Sequence, residues 1–174
     1  MAIYGINEWL VQFLDSSGLP VDGKGLTTAV TIPNITQTFD SDQRSGYAGP
    51  VHFAKSLEFT GEASLTFKNI TQQFRDAVNR SVKKTCSIQL NAAGEDQATG
   101  EVIAYELILR GLVGEFPTGG DFSAGDLAEF TMSFFPNRKS DQMGTSTFLY
   151  EPTTPSWVVN GVDYLAPIRT ALGL

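Results

Sequence analysis

The sequence predicts a mainly β, antiparallel fold with one well-marked helix, built as a sandwich or barrel. Three stretches alternate apolar and polar residues with the period of two that a strand requires: 57–67, 84–91 and 101–116. Segments rich in glycine, proline and aspartate, such as SSGLPVDGKG and PTGGDFSAGD, are typical of the turns between strands. At 174 residues the chain is expected to form a single domain, 1–174, that is large enough to bury a core.

The first third of the chain predicts strands joined by turns. Residues 6–14 carry apolar side chains at near-helical spacing, but the run is short and fits an extended segment equally well. SSGLPVDGKG reads as a turn. Two strands follow, LTTAVTI and NITQTF, with a hinge at Pro33, which donates no ladder hydrogen bond and therefore suits a break between strands.

The segment from Asp40 to Lys55 shows no periodicity of its own, yet it carries Tyr47, His52 and Phe53. Long aperiodic segments inside a compact domain are uncommon unless they are functional or disordered. We therefore interpret 40–55 as an arm that leaves the domain and docks on something else. A single strand is predicted to follow, with Leu57, Phe59, Ala63, Leu65 and Phe67 on one face and Glu58, Thr60, Glu62, Ser64 and Thr66 on the other.

The clearest helix is predicted over KNITQQFRDAVNR, residues 68–80. Asn69 is a suitable N-cap, and Gln72 stands three residues later, as in a capping box. The apolar stripe that packs this helix on a sheet comprises Ile70, Phe74, Ala77 and Val78.

The second half of the chain predicts further strands and a terminal helix. In the first strand Cys86, Ile88 and Leu90 point inward. Residues 91–100 are predicted as a turn, and 101–116 and 126–136 as a long hairpin. NRKSDQMGTST is predicted to be a polar connection, and FLYEP and SWVV short strands. Pro167 and Gly173 bracket a short C-terminal helix.

Charge and composition exclude several classes of function. The net charge of −7 argues against tight nucleic-acid binding, which needs clustered Lys and Arg. The one cysteine, Cys86, cannot form a disulfide within the chain. The N-terminus lacks the pattern of a signal peptide, and no apolar run approaches the ~20 residues of a membrane span, so we expect no membrane binding and a cytoplasmic origin.

The inventory of reactive groups is thin. His52 and Cys86 are too few ligands for a zinc site, and a Ser-His-Asp arrangement would have to use a histidine in the arm. Carboxylate pairs such as Glu58 and Glu62 are of the type that a glycosidase uses, although solvated strand faces carry such residues routinely. We therefore expect no enzymatic activity, no catalytic residues, no metal and no cofactor.

Three segments in the same order resemble a known family: VTIPNITQTFDSDQRSGYAGPVHF, LEFTGEASL and VNGVDYLAPIRTALGL. Together they are similar to the major tail tube protein of contractile-tailed phages of the P2 type. The resemblance runs from about Leu26 to Leu174 and is loose over Asn137–Trp157.

The resemblance implies hexameric rings, with a continuous β-barrel around a lumen, that stack into a tube inside a contractile sheath. The implied partners are other copies of the chain, the sheath, the baseplate and the tail terminator, with DNA only in transit. The implied location is the virion tail, assembled in the bacterial host cytoplasm. The arm would contact the next ring through Arg44, Tyr47, His52, Phe53 and Lys55.

The resemblance also suggests roles for two further sets of residues. The candidates for the lumen are Glu58, Thr60, Glu62, Ser64 and Thr66, whose polarity would let DNA pass without sticking. Residues 160–174 would dock on an adjacent subunit or on the domain's own edge through Asp163, Tyr164 and Arg169.

Other readings remain open on the sequence alone. The chain also fits the tube of a phage-tail-like bacteriocin or the tube of a related secretion apparatus. A reading of a different class is a free-standing β-sandwich that binds carbohydrate, which predicts a stable monomer with a concave aromatic site.

Overall fold

The computed structural model describes residues 4–23, 27–42, 49–68, 70–96, 99–118 and 128–173. The strands are β1 Tyr4–Leu14, β2 Pro20–Asp22, β3 Thr27–Thr31, β4 Asn34–Asp42, β5 Val51–Thr60, β6 Ala63–Lys68, β7 Cys86–Asp96, β8 Val102–Glu115, β9 Glu129–Met143, β10 Ser146–Glu151, β11 Ser156–Val159 and β12 Val162–Asp163. The helices are α1 Gln72–Asn79 and α2 Ala166–Leu172. The fold is mainly β with antiparallel pairing, which confirms the predicted class.

One large sheet has the strand order β12-β11-β10-β9-β8-β7-β1-β2. The sheet branches at β9, because its first part pairs with β6 while its last part pairs with β10. β3 pairs with β6 at the end of that branch. β4 and β5 form a separate two-stranded sheet.

The core is one cluster to which β1, β6, β7, β8, β9 and α1 all contribute. Alternation predicts its members well: Ala63, Leu65 and Phe67 on β6 are at most 1% exposed. The predicted inward set of β7 (Cys86, Ile88 and Leu90) is also buried, and β8 and β9 add the buried residues Leu107, Leu109, Met132 and Phe134. The alternation of apolar and polar residues along these strands therefore predicts which side chains face the core.

Helix α1 closes the core through Phe74, Ala77 and Val78, as the predicted stripe requires. The predicted N-cap is wrong, because Thr71 caps the helix and its side-chain oxygen accepts the Phe74 N–H at 3.2 Å. Threonine, like asparagine, is a favoured N-cap residue. Asn69 lies outside the described residues.

Three expectations about strand boundaries need correction. Residues 6–14 lie within β1, which pairs along its length with β7, so the helical alternative is wrong. Most of the predicted turn at 91–100 belongs to β7, which continues to Asp96. Most of the predicted polar connection at 137–147 belongs to β9 and β10, which turn at Gly144 with φ 58°. In each case backbone pairing with a distant strand outweighs local composition.

The predicted single strand over 57–67 is two strands in two sheets. β5 ends at Thr60, Gly61 has a φ of +84°, and β6 begins at Ala63. A positive φ is available to glycine without the steric penalty of a Cβ, so Gly61 permits the break. Leu57 and Phe59 therefore do not share a strand with the core residues Leu65 and Phe67.

Candidate functional site

The two-stranded sheet of β4 and β5 is separate from the large sheet. The hairpin runs from the pair Asn34 and Thr60 to the pair Asp42 and Val51. In the part of the chain that the structure describes, neither strand pairs with a third strand. An isolated two-stranded hairpin is marginal in water, and its two outer edges present unpaired N–H and C=O groups.

A β-bulge bends this hairpin at Thr38. Gln37 pairs with Leu57 and Phe39 with Ala54, so two residues of β5 face one of β4. The hydroxyls of Thr38 and Ser56 lie 2.6 Å apart, and the Ser56 N–H donates to Thr38 Oγ1 at 3.2 Å. Such bulges increase the twist of a hairpin and redirect what lies beyond them. Here the bulge sets the direction of the outer part of the hairpin, which carries Phe39 and Phe53.

The root of the hairpin has an apolar face and a polar face. Opposite residues of an antiparallel pair share a face, so Ile35 lies with Phe59 on one side, and both are half-buried. Thr36 lies with Glu58 on the other side, and both are exposed. The Thr36 and Thr60 hydroxyls are 2.9 Å apart on this polar face.

Tyr150 of β10 holds the apolar face against the main sheet. Its ring meets the Phe59 ring at a centroid distance of 5.1 Å, and its hydroxyl donates to the Leu57 carbonyl at 2.5 Å. Burial, and secondly the Glu58 carboxylate, raise the pKa of Tyr150, so the phenol stays protonated and able to donate. Sequence reasoning missed this residue, since the pattern of FLYEP does not distinguish Tyr150 from its aromatic neighbour Phe148.

Two described parts of the predicted arm, 40–42 and 51–55, belong to the outer half of this hairpin. Asp40–Asp42 belong to β4, and Val51–Lys55 to β5, because ladder pairing fixes both sides. His52 and Phe53 lie on opposite faces of β5, opposite Ser41 and Asp40. Arg44 and Tyr47 lie outside the described residues.

The predicted arm residue Lys55 forms an ion pair with Asp40 across the hairpin. The Lys55 Nζ lies 3.4 Å from an oxygen of Asp40, with 62% and 68% of the side chains exposed. An exposed pair of this kind contributes about 0–1 kcal/mol to stability. The Lys55–Asp40 pair therefore determines the charge pattern on the hairpin surface and contributes little to the stability of the hairpin.

The five predicted lumen residues do not share one strand. Glu58 and Thr60 lie on the polar face of the hairpin. Glu62 lies in the connection after Gly61, and Ser64 and Thr66 lie on β6 in the large sheet. Because the break at Gly61 separates the two groups, a common role for all five depends on how copies of the chain pack together.

The C-terminal segment contains an Asp163–Arg169 ion pair, and hydrogen bonds of these two residues hold the segment to the preceding part of its own chain. Arg169 Nη1 also donates to the Pro155 carbonyl at 3.0 Å and to Ser156 Oγ at 3.1 Å. Asp163 Oδ1 accepts the Leu165 N–H at 3.0 Å. The third residue of the predicted docking set, Tyr164, is 64% exposed and faces solvent.

These contacts set the charge state of Asp163. Desolvation alone raises its pKa, but the Leu165 N–H, the Arg169 guanidinium and the Trp157 N–H outweigh that effect, so the pKa of Asp163 lies below its ordinary value. The ionised carboxylate is therefore the form that holds the segment.

We expect Asp163→Asn to loosen residues 160–173 at neutral pH, because the amide cannot form the ion pair with Arg169. Trypsin should then cleave after Arg169 several-fold faster than in the wild-type chain, as measured by mass spectrometry. Because the folded-state pKa is lowered, the contribution is complete above the ordinary aspartate pKa of about 3.9 and is lost as the pH falls through the folded value. Asp76→Asn, at an exposed aspartate of α1, is the control, and equal cleavage of the two variants would contradict the anchoring role.

A groove of about 360 Å³ lies between the hairpin and the C-terminal segment. Ala54 and Leu57 line one side, Pro155, Leu165 and Ile168 line the other, and Tyr150 is also in its lining. No group of three or more His, Cys, Asp or Glu side chains is placed to hold a metal ion among the described residues. No helix within the described ranges has the length and apolar character to cross a membrane.

Similarity to known proteins shows the fold and the family of this chain. No curated protein matches the sequence significantly. Among solved structures, a similar chain occurs in the cryo-EM structure of the anti-feeding prophage baseplate, 6-fold symmetrised. The TM-score is 0.56 at 15% identity, over 82% of this chain and 97% of that chain, which shows a common fold. The sequence model of the phage tail tube protein FII family matches residues 13–173, and the chain therefore belongs to that family of phage tail tube proteins.

Proposed function

We propose that this chain is the structural subunit of the inner tube of a contractile phage tail, and that copies associate into hexameric rings that stack inside a sheath. The observation that carries the proposal is the β4–β5 hairpin, a two-stranded sheet with both edges open among the described residues. Membership of the tail tube family supports self-association as the way in which these edges become paired.

Edge pairing between copies explains why the hairpin can be stable. A strand from another chain that adds along an open edge satisfies a row of backbone groups at once. Repeating this addition around a ring closes the sheet into a barrel, and a closed barrel has no edges left. The hairpin would then be one repeating unit of a barrel wall.

The polar face of the hairpin is the proposed lining of the lumen. At its root it presents Thr36, Glu58 and Thr60, all of them exposed. Hydroxyls and carboxylates there would not release counterions from passing DNA, so a genome would move through without being retained. The net charge of −7 points the same way.

The tip of the hairpin is the proposed contact with the next ring. Phe53 keeps 42% of its surface exposed on β5, beyond the bulge at Thr38. Aromatic side chains bury much area at interface centres, which suits Phe53 and the predicted arm residue Tyr47 as anchors. The sheath, the baseplate and the tail terminator would meet other surfaces of the assembled tube.

A tube subunit of a phage-tail-like particle is the second candidate. The similarity of fold to a chain of the anti-feeding prophage baseplate favours it as much as a phage tail. Neighbouring genes separate the two, since a phage also encodes a capsid.

We expect negative-stain electron microscopy of the purified chain to show rings or hollow tubes, with matching fast species in sedimentation velocity. Replacing both Tyr47 and Phe53 by serine should leave a folded chain that does not stack, because the tip loses its apolar anchors. Leu19→Ser, at a turn residue that is 63% exposed, is the control and should assemble.

Two outcomes would contradict these assignments separately. Normal tubes from the double variant would show that the hairpin tip is not the contact between rings. A wild-type chain that remains monomeric when concentrated together with baseplate complexes would contradict the proposal that this chain forms a tube.

A further inference from the structure

Two arginines face each other on the outer surface of the large sheet, the surface opposite the core. Arg110 of β8 is the direct ladder partner of Arg138 of β9, and opposite residues of an antiparallel pair share a face. Leu109, the neighbour of Arg110, is buried in the core, so Arg110 points away from the core. Like charges directly opposite each other repel, so this pair lowers the stability of the sheet when no anion lies between the two side chains.

Both arginines line one pocket of about 260 Å³, the arginine pocket, together with Ser87, Ile108 and Ser140. Ser87 of β7 is opposite Arg110 in the ladder, and Ser140 lies two residues from Arg138 on β9. Guanidinium groups and serine hydroxyls can all donate hydrogen bonds. Three neighbouring strands therefore bring four donor side chains to one space, and no carboxylate is among the described residues that line it.

The carboxylates around the pocket leave the donors of both arginines available. The Glu151 carboxylate lies 3.9 Å from Arg138 Nε, which is beyond hydrogen-bond distance. Glu106, four residues before Arg110 on the same face of β8, accepts a hydrogen bond from Gln89 Nε2 at 2.8 Å. In the part of the chain that the structure describes, neither guanidinium makes a hydrogen bond.

We propose that the arginine pocket binds a free, doubly charged oxyanion of the phosphate class. A tetrahedral dianion offers oxygens to both guanidinium groups and to the two hydroxyls, and contacts between arginine and phosphate are frequently bidentate. The bound anion replaces the repulsion between the two arginines with two attractive charge pairs. Because all of these residues belong to one chain, the inference does not depend on the proposed function.

Phosphorus-31 NMR of inorganic phosphate, titrated with unassembled chain at fixed ionic strength, measures this binding directly. Arg110→Gln should weaken binding on the order of tenfold, because it removes a charge-assisted contact. Arg110→Lys keeps the charge but loses the planar fork, so its affinity should be intermediate. Arg75→Gln, at an exposed arginine of α1, changes the net charge equally and should bind phosphate as the wild-type chain does.

The urea midpoint gives a second readout. In chloride buffer Arg110→Gln should unfold at a urea concentration no lower than the wild-type chain, because the substitution removes the repulsion. In phosphate of equal ionic strength the wild-type midpoint should rise by more than that of Arg110→Gln, since a ligand of the folded state stabilises it. Phosphate also stabilises folded chains by its exclusion from their surface, and Arg75→Gln shares that effect. Equal phosphate binding and equal midpoint shifts in Arg110→Gln and Arg75→Gln would indicate an adventitious ion only and overturn the inference.

Discussion

Tyr150→Ala is expected to destabilise the chain by about 3–5 kcal/mol and to uncouple the hairpin from the main sheet. The ring is 1% exposed and packs against Phe59 and, at a centroid distance of 5.8 Å, Trp157. Its removal leaves a cavity and also deletes the donor to the Leu57 carbonyl. Urea denaturation measures the loss of stability, and sedimentation velocity measures the loss of assembly.

Two further variants separate the parts of this effect. Tyr150→Phe keeps the ring and removes the hydroxyl, so it should cost about 1 kcal/mol. Tyr164→Ala truncates a tyrosine that is 64% exposed and should change stability by no more than about 0.5 kcal/mol. If Tyr150→Ala unfolds at the same urea concentration as Tyr164→Ala, Tyr150 does not hold the hairpin.

Phe74→Ala is expected to have an effect of similar size, about 3–5 kcal/mol, through the core itself. Phe74 is fully buried, and its ring lies 4.9 Å from the ring of Phe67 and 6.1 Å from that of Phe13. A domain is stable by only about 5–15 kcal/mol, so this one truncation removes a large share of the free energy of unfolding.

The measurement for Phe74→Ala is the urea midpoint with its denaturant slope. Gln73→Ala, at the exposed neighbouring position of α1, is the matched control and should remain near the wild-type midpoint. Equal midpoints for the two variants would mean that α1 does not close the core.

Much of the core and the fold class were predictable because they depend on the spacing of apolar residues within single strands and helices. Alternate residues of a strand face opposite sides whatever the strand pairs with, so the buried sets around Leu65, Ile88 and Leu109 follow from the chain alone. The apolar stripe of α1, which contains Phe74, also follows from the spacing of nearby residues. The same holds for the ends of α2, which Pro167 and Gly173 mark.

The candidate site was predictable only in part. The lack of periodicity over 40–55 marked this segment as unusual, and its aromatic residues suggested a docking role. The bulge at Thr38 and the contact of Tyr150 with Leu57 left no local signal, because each joins residues that are distant along the chain.

The sequence by itself determined the core faces of β6, β7 and α1, the antiparallel β class and the two helices, since each depends on spacing within a short window. The tertiary structure alone decided that β9 continues through the polar run at 137–143, that Gly61 divides the strand at 57–67 and that the hairpin forms its own sheet. These features depend on which distant strand satisfies each backbone N–H and C=O, and that pairing is a property of the whole fold.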